Sequence, residues 1–333
     1  MAIGNKFFYT RSLPCTLWFF DKGKPEDLHD QVLMIDARNV YHVVSARSHV
    51  FTEEQLANLN ATVWLYRGDQ EKFTALVGRY QRQVDDWLAL LPERLAADTA
   101  AVKALAVRLA TFAAGATLAE LNAGQPEEAH LTLAQLDAFK AELSGAQADT
   151  HVADAIAALL TASTQARAAL AQADLASHAG QVALQATLDT LAPQLKALGK
   201  ALEARHKQWL KLLDTAEKAL RARLSKAFDG KAAREAKRSL LVADAKKNED
   251  PTVRDVVLDA LKQAAYFSHQ VHWLHGRFPH GLFEDVPGLC KAVTMDEIAA
   301  NDYSLTPGRY VGVAATAAED EDDFVEKLRE IHD

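Results

Sequence analysis

Val32-Leu33-Met34-Ile35-Asp36-Ala37-Arg38 opens with an unbroken aliphatic run, and upstream of it Thr16-Leu17-Trp18-Phe19-Phe20 sits between Pro14 and the turn residues Asp21-Lys22-Gly23-Lys24-Pro25. Short apolar runs bounded by turn signals read as fully buried strands, and buried strands need neighbours. Three candidate strands are legible, Ala2–Phe8, Thr16–Phe20 and Val32–Ala37, all near the start of the 333-residue chain. Open parallel sheets usually carry five or six strands covered on both faces. The sequence therefore reads as the closing part of a sheet whose opening strands it does not encode.

Downstream of Arg38 the pattern changes to helical spacing. Thr52-Glu53-Glu54-Gln55 has the form of a capping box, and Phe73, Val77, Tyr80, Val84, Trp87 and Leu91 recur at helical steps. A helix from Thr52 to Leu91 is expected, punctuated by Pro92. Alanine-rich helices are expected over 97–122, 127–143 and 150–189, because alanine has the best helix propensity. Leu184, Leu188, Leu191, Leu195, Leu198, Leu202, Trp209, Leu213, Ala216, Leu220 and Leu224 form a coiled-coil-like seam, in which Pro193 should kink or restart the helix. Gly145, Gly180, Gly199 and Gly230 are candidate breaks that would fold these helices into a bundle within the chain. Asp250-Pro251 reads as the start of a helix running to about Leu274, Thr294-Met295-Asp296-Glu297 as a second capping box, and Asp322 as the start of a final helix. The expected class is mainly α with a small α/β remnant, divided at 1–50, 51–275 and 276–333.

A hydrophobic content of 49% excludes disorder as the default. No run approaches the roughly 18 apolar residues of a membrane span, and no signal-peptide layout is present, so a cytoplasmic protein without membrane contact is expected. Cys15 and Cys290 are too few for a disulfide framework or a zinc ribbon. The net charge of −8 is uneven, since Lys196 to Arg238 holds thirteen Lys and Arg against five acids. Lys196, Lys200, Lys207, Lys211 and Lys218 fall away from the leucine seam, where they form either a phosphate-tracking stripe or an ordinary solvated face. His269, His272 and His275 turn about 600° from first to last, so they share no face, and no carboxylate or cysteine completes a metal set.

Gly4-Asn5-Lys6-Phe7-Phe8-Tyr9-Thr10, Leu13-Pro14-Cys15-Thr16-Leu17-Trp18-Phe19 and Ile35-Asp36-Ala37-Arg38, together with Gly288-Leu289-Cys290-Lys291 and Leu305-Thr306-Pro307-Gly308-Arg309-Tyr310-Val311-Gly312, resemble two parts of the modification (M) subunit of type I restriction-modification systems. The resemblance leaves the alanine-rich middle outside it. It implies the distal strands of a Rossmann-like methyltransferase sheet and an adenine-specific enzyme that moves a methyl group from S-adenosylmethionine to a flipped base in DNA. It also implies a specificity subunit and a restriction subunit as partners. It places Phe8 and Tyr9 near the flipped base, where an aromatic face is worth about 1–3 kcal/mol. Aromatics ending a strand otherwise belong to the core. The family's glycine-rich cofactor turn and its Asn-Pro-Pro-Phe/Tyr loop occur nowhere in the sequence. No catalytic or cofactor-binding residue is therefore expected here, and the chain alone is expected to bind no S-adenosylmethionine and to be inactive. A non-catalytic helical scaffold is the alternative.

Overall fold

The computed structural model describes residues 1–8, 13–228, 231–241 and 250–313. Tyr9, Gly230, the acidic run from Glu319 and the helix expected from Asp322 lie outside these residues. The chain forms two compact units: unit 1 comprises Met1–Arg79, Asp174–Val182 and Gln270–Asp333, and unit 2 comprises Tyr80–Ala173 and Ala183–His269.

Unit 1 is organised by β3 (Gln31–Ala37), the aliphatic run quoted first. β1 (Ala2–Ile3) lies parallel to it with Ala2 opposite Asp36, and β2 (Cys15–Thr16) lies antiparallel to β1. On the other side β6 (Cys290–Thr294) runs antiparallel from Gln31↔Thr294 to Ile35↔Cys290, giving the order β2-β1-β3-β6. Met34, Ile35, Asp36 and Ala37 are buried in succession, as a strand flanked on both edges requires. β6 was not among the expected strands, because its sequence Cys-Lys-Ala-Val-Thr interrupts the apolar run with a lysine. A separate hairpin, β4 (His42–Ser45) and β5 (Ser48–Val50), was also unread.

The expected buried strand Thr16–Phe20 is corrected. Only Cys15 and Thr16 pair, and Trp18, Phe19 and Phe20 are 61%, 76% and 88% exposed. β2 is the outer strand of the sheet, so among the described residues nothing lies beyond it to cover these rings. The run looked buried because its composition suits an inner strand; position in the sheet decided otherwise. Ala2–Phe8 likewise shrinks to the pair Ala2–Ile3, and Lys6 leaves the extended region with φ of 65°.

The helix expected over Thr52–Leu91 is two helices. α1 (Glu53–Tyr66) starts at the Thr52–Gln55 capping box and stops at Gly68, whose φ is +79°. There Gly68 N donates to Leu65 O at 3.0 Å and Asp69 N to Trp64 O at 2.8 Å, a Schellman ending for which glycine is the natural residue. α2 (Gln70–Gly115) then runs straight through Pro92. The proline costs about 3 kcal/mol in a helix interior. Burial of Leu88, Leu91 and Leu95 on one stripe, each worth about 1.5–3 kcal/mol, outweighs it.

Unit 2 packs the rest of α2 with α4 (Leu133–Ala148), α5 (His151–Gln172) and α7 (Gln185–Asp214). The leucine seam is real: Leu188, Leu191, Leu195, Leu198, Leu202 and Trp209 are buried, and α5 packs against α7. It ends earlier than expected, because Arg221 has φ of 55° and Leu224 is exposed. Pro193 and Gly199 lie within α7, and Gly145 within α4, without ending either helix. The 150–189 segment instead breaks after Gln172, before α6 (His178–Ala183), and the 97–122 segment breaks between Gly115 and α3 (Leu118–Asn122). α8 (Lys231–Leu240) closes the basic run. α9 (Val253–Arg277) is capped by Thr252, whose hydroxyl accepts from Asp255 N at 3.2 Å, so the cap lies two residues past the expected Asp250. Among the described residues no helix is long and apolar enough to cross a membrane.

Cys290 begins β6, and burial pushes its thiol up to about 11 from an ordinary 9.0, while Cys15 is half-buried. A thiol reagent at neutral pH is expected to modify Cys15 first and Cys290 only on unfolding; equal rates for both would contradict this burial. Because the folded thiol stays neutral while the unfolded one ionises, this contribution to stability is present below pH 9 and is lost as pH climbs toward 11.

Candidate nucleic-acid interface

In unit 1 the carboxyl ends of the parallel strands β1 and β3 carry the polar groups. Phe7 turns inward, 4.5 Å from the Phe51 ring centroid and 6.3 Å from that of His49. Phe8 is 45% exposed and so available to a ligand. The two aromatics, which lie beyond β1, thus differ: Phe7 packs on Phe51 and His49, and Phe8 faces solvent.

Asp36, on β3, is buried and receives Arg38 twice over. Arg38 Nε donates at 2.8 and 3.0 Å to Oδ1 and Oδ2, and Nη2 at 2.5 Å to Oδ2. The Arg38 backbone N–H adds a third tie to Oδ1 at 3.1 Å, and Asp36 N donates to Leu289 O at 2.7 Å. The carboxylate raises the affinity of the guanidinium for its proton, first through the hydrogen bonds and then through the opposite charge. α10 (Met295–Ala300), capped by Thr294, and the turn Pro307–Arg309 bring Gly308 alongside. A Cβ on Gly308 would lie 2.8 Å from Arg38 Nη2, and one on Gly4 would lie 2.8 Å from Arg38 O. Tyr310 anchors the same turn by donating to Ser304 O at 2.5 Å.

In unit 2 the five lysines are all exposed. Lys196, Lys200, Lys207 and Lys211 lie within about 60° of one another around α7 and span about 22 Å of its axis. Lys211 pairs with Glu142 at 3.2 Å, and Lys218, beyond the helix, pairs with Asp214 at 2.7 Å. Among the described residues no carboxylate pairs with Lys196, Lys200 or Lys207. The acids interspersed in this stretch are engaged elsewhere, Glu203 with Lys262 at 3.8 Å and Glu217 with Lys237 at 2.5 Å. The stripe thus reduces to three unpaired cations with two partly neutralised ones beyond them.

The Asp98 cluster was missed by sequence reasoning. Asp98 on α2 is fully buried, with Oδ1 2.5 Å from His206 Nε2 and Oδ2 accepting from Arg205 Nη2. Asp98 is far in sequence from the adjacent pair Arg205 and His206, so no local signal joins them. Two shallow hollows of unit 2, about 310 and 280 Å³, are lined by alanine, threonine, glutamine, leucine and serine, with Lys140 the one charged group. Among the described residues no cluster of three or more His, Cys, Asp or Glu could hold a metal ion. His275 instead packs edge-on against His178, ring centroids 5.4 Å apart. Gly4, directly after β1, has its open side filled by the Arg38 carbonyl.

A 59-residue stretch is 43% identical to the type I restriction enzyme MjaIX methylase subunit of Methanocaldococcus jannaschii, covering 18% of this chain and 11% of that protein. An 86-residue stretch is 37% identical to the type I restriction enzyme HindI methylase subunit of Haemophilus influenzae, covering 25% of this chain and 17% of that protein. The chain thus aligns with under a fifth of the length of either relative. No solved structure matches it. The family model described as N-6 DNA Methylase matches residues 1–86 and 228–320, more than half of the chain. Its first stretch contains β1, β2 and β3, and its second contains β6, which pairs with β3. On that match the chain belongs to the N-6 DNA methylase family.

Proposed function

We propose that this chain is the distal share of an adenine-specific DNA methyltransferase of the type I restriction-modification kind, in which a methyl group passes from S-adenosylmethionine to the exocyclic amine of a flipped adenine. The observation that carries the reading is the pairing of β3 with β6: two stretches matched by one family model, distant in sequence, form one sheet. Residues 1–50 and 276–333 supply the sheet, and 51–275 the helical insertion. Phe8 and Tyr9 face the flipped base, and Lys196, Lys200, Lys207, Lys211 and Lys218 follow the phosphate backbone. The glycine-rich turn and the Asn-Pro-Pro-Phe/Tyr loop, absent from this sequence, come from a companion segment that also holds the cofactor. The exposed Trp18, Phe19 and Phe20 beside β2 suit the addition of further strands, since a bare apolar edge is an association site. The specificity and restriction subunits dock on the helices. A soluble cytoplasmic setting suits an enzyme whose substrate is DNA.

Duplex binding by the full chain, followed across a salt series, tests the nucleic-acid part. Contacts to three to five phosphates give a log–log slope of about −3 to −5. No binding at low salt would refute the reading and favour a helical scaffold, for which the length of unit 2 outside the family match is the supporting observation.

A further inference from the structure

Arg38 is over-specified for a surface arginine. Its side chain is 53% exposed, yet it is held by a carboxylate that is 9% exposed, through Nε, Nη2 and the backbone N–H. A guanidinium offers five N–H donors in a rigid fork. Asp36 occupies the Nε–Nη2 side, which leaves the Nη1–Nη2 end, and among the described residues no acceptor meets it. Gly308 packs closely against the Asp36–Arg38 pair, where a Cβ would lie 2.8 Å from Nη2 and 3.6 Å from Asp36 Oδ2. The fork also stands at the carboxyl ends of β1 and β3, the end of an open sheet at which ligands gather. A tie between β3 and the 307–309 turn would need one hydrogen bond and no empty edge. A pinned fork with a free end is the arrangement that receives an oxyanion bidentately.

Resting on the DNA-binding reading above, we infer that Arg38 is a backbone phosphate ligand for the duplex, with Asp36 as its positioning residue and Gly308 as the close neighbour whose lack of a side chain lets the fork hold its place. Two further cations belong to neighbouring segments: Lys6 follows β1, the strand paired with β3, and Arg309 lies in the same turn as Gly308. The role is sequence-independent: a phosphate contact fixes the register of the duplex and does not read its bases.

The test is duplex binding by the full chain, followed by fluorescence anisotropy over a salt series, with melting temperatures taken in parallel. Arg38→Gln is expected to weaken binding about tenfold near 0.1 M salt and to make the log–log slope shallower by about one. Arg38→Lys keeps the charge and therefore the slope, but loses the fork and several-fold in affinity. Gly308→Ala leaves every charge in place and displaces Nη2, so it too weakens binding several-fold. Lower melting temperatures with unchanged affinity and slope would make the pair a structural tie and overturn the inference. So would a stripe variant, with Lys196, Lys200 and Lys207 changed to glutamine, that flattens the slope while Arg38→Gln does not, although the DNA-binding reading would then stand. A wild-type chain that binds no duplex would overturn both.

Discussion

Asp98→Ala is expected to lower the stability of unit 2 by about 3–5 kcal/mol, the usual cost of removing one partner from a buried charged pair. The side chain lies at the centre of its unit with no exposed surface, and it answers two donors, Arg205 Nη2 and His206 Nε2. Alanine would strand both. Arg205 is 14% exposed and His206 fully buried, so neither can recover a full hydrogen-bond shell from water. His206 Nδ1 already lacks a partner among the described residues, which leaves the ring nothing to fall back on. For a unit of this size each kcal/mol moves the midpoint by about 2–4 °C, so thermal unfolding followed by circular dichroism should shift down by about 6–20 °C. A shift below about 2 °C would mean that the cluster is not held as described.

The stripe variant with Lys196, Lys200 and Lys207 changed to glutamine should lose far more than any single surface substitution. Each phosphate contact contributes about 0.9 to the salt slope, so three lost contacts flatten it by about 2.7, which is about 500-fold in affinity near 0.1 M salt. Changing Lys211 and Lys218 should matter less, because Glu142 and Asp214 already compete for them. Exposed helix lysines contribute little to stability, so melting should be unchanged, and equal losses from the two sets of lysines would contradict the division drawn from their ion pairs.

β3 was legible in the sequence because its run Val32-Leu33-Met34-Ile35, bounded by turn residues, has few other uses at that length. Thr16–Phe20 has the same composition and was misread, since composition cannot say whether a strand lies inside a sheet or at its edge. Pro92 and Pro193 were given more weight as breakers than Gly68, although a left-handed residue ends a helix more surely than a proline whose neighbours are buried leucines. Phe8 was singled out by resemblance, and its contact with a base is a proposal. The Asp36–Arg38 fork was not legible, because its meaning depends on Gly308 arriving from the other end of the chain. The same holds for Asp98, whose partners are contributed by a different helix.

The most direct measurement mixes the full chain with a companion chain carrying the glycine-rich turn and the Asn-Pro-Pro-Phe/Tyr loop, and follows transfer of a labelled methyl group from S-adenosylmethionine to a duplex. Neither chain alone should transfer label, the pair should place it on adenine N6, and Phe8→Ala should reduce it. A folded, associated pair that binds both S-adenosylmethionine and duplex yet leaves every adenine unmethylated would contradict the account.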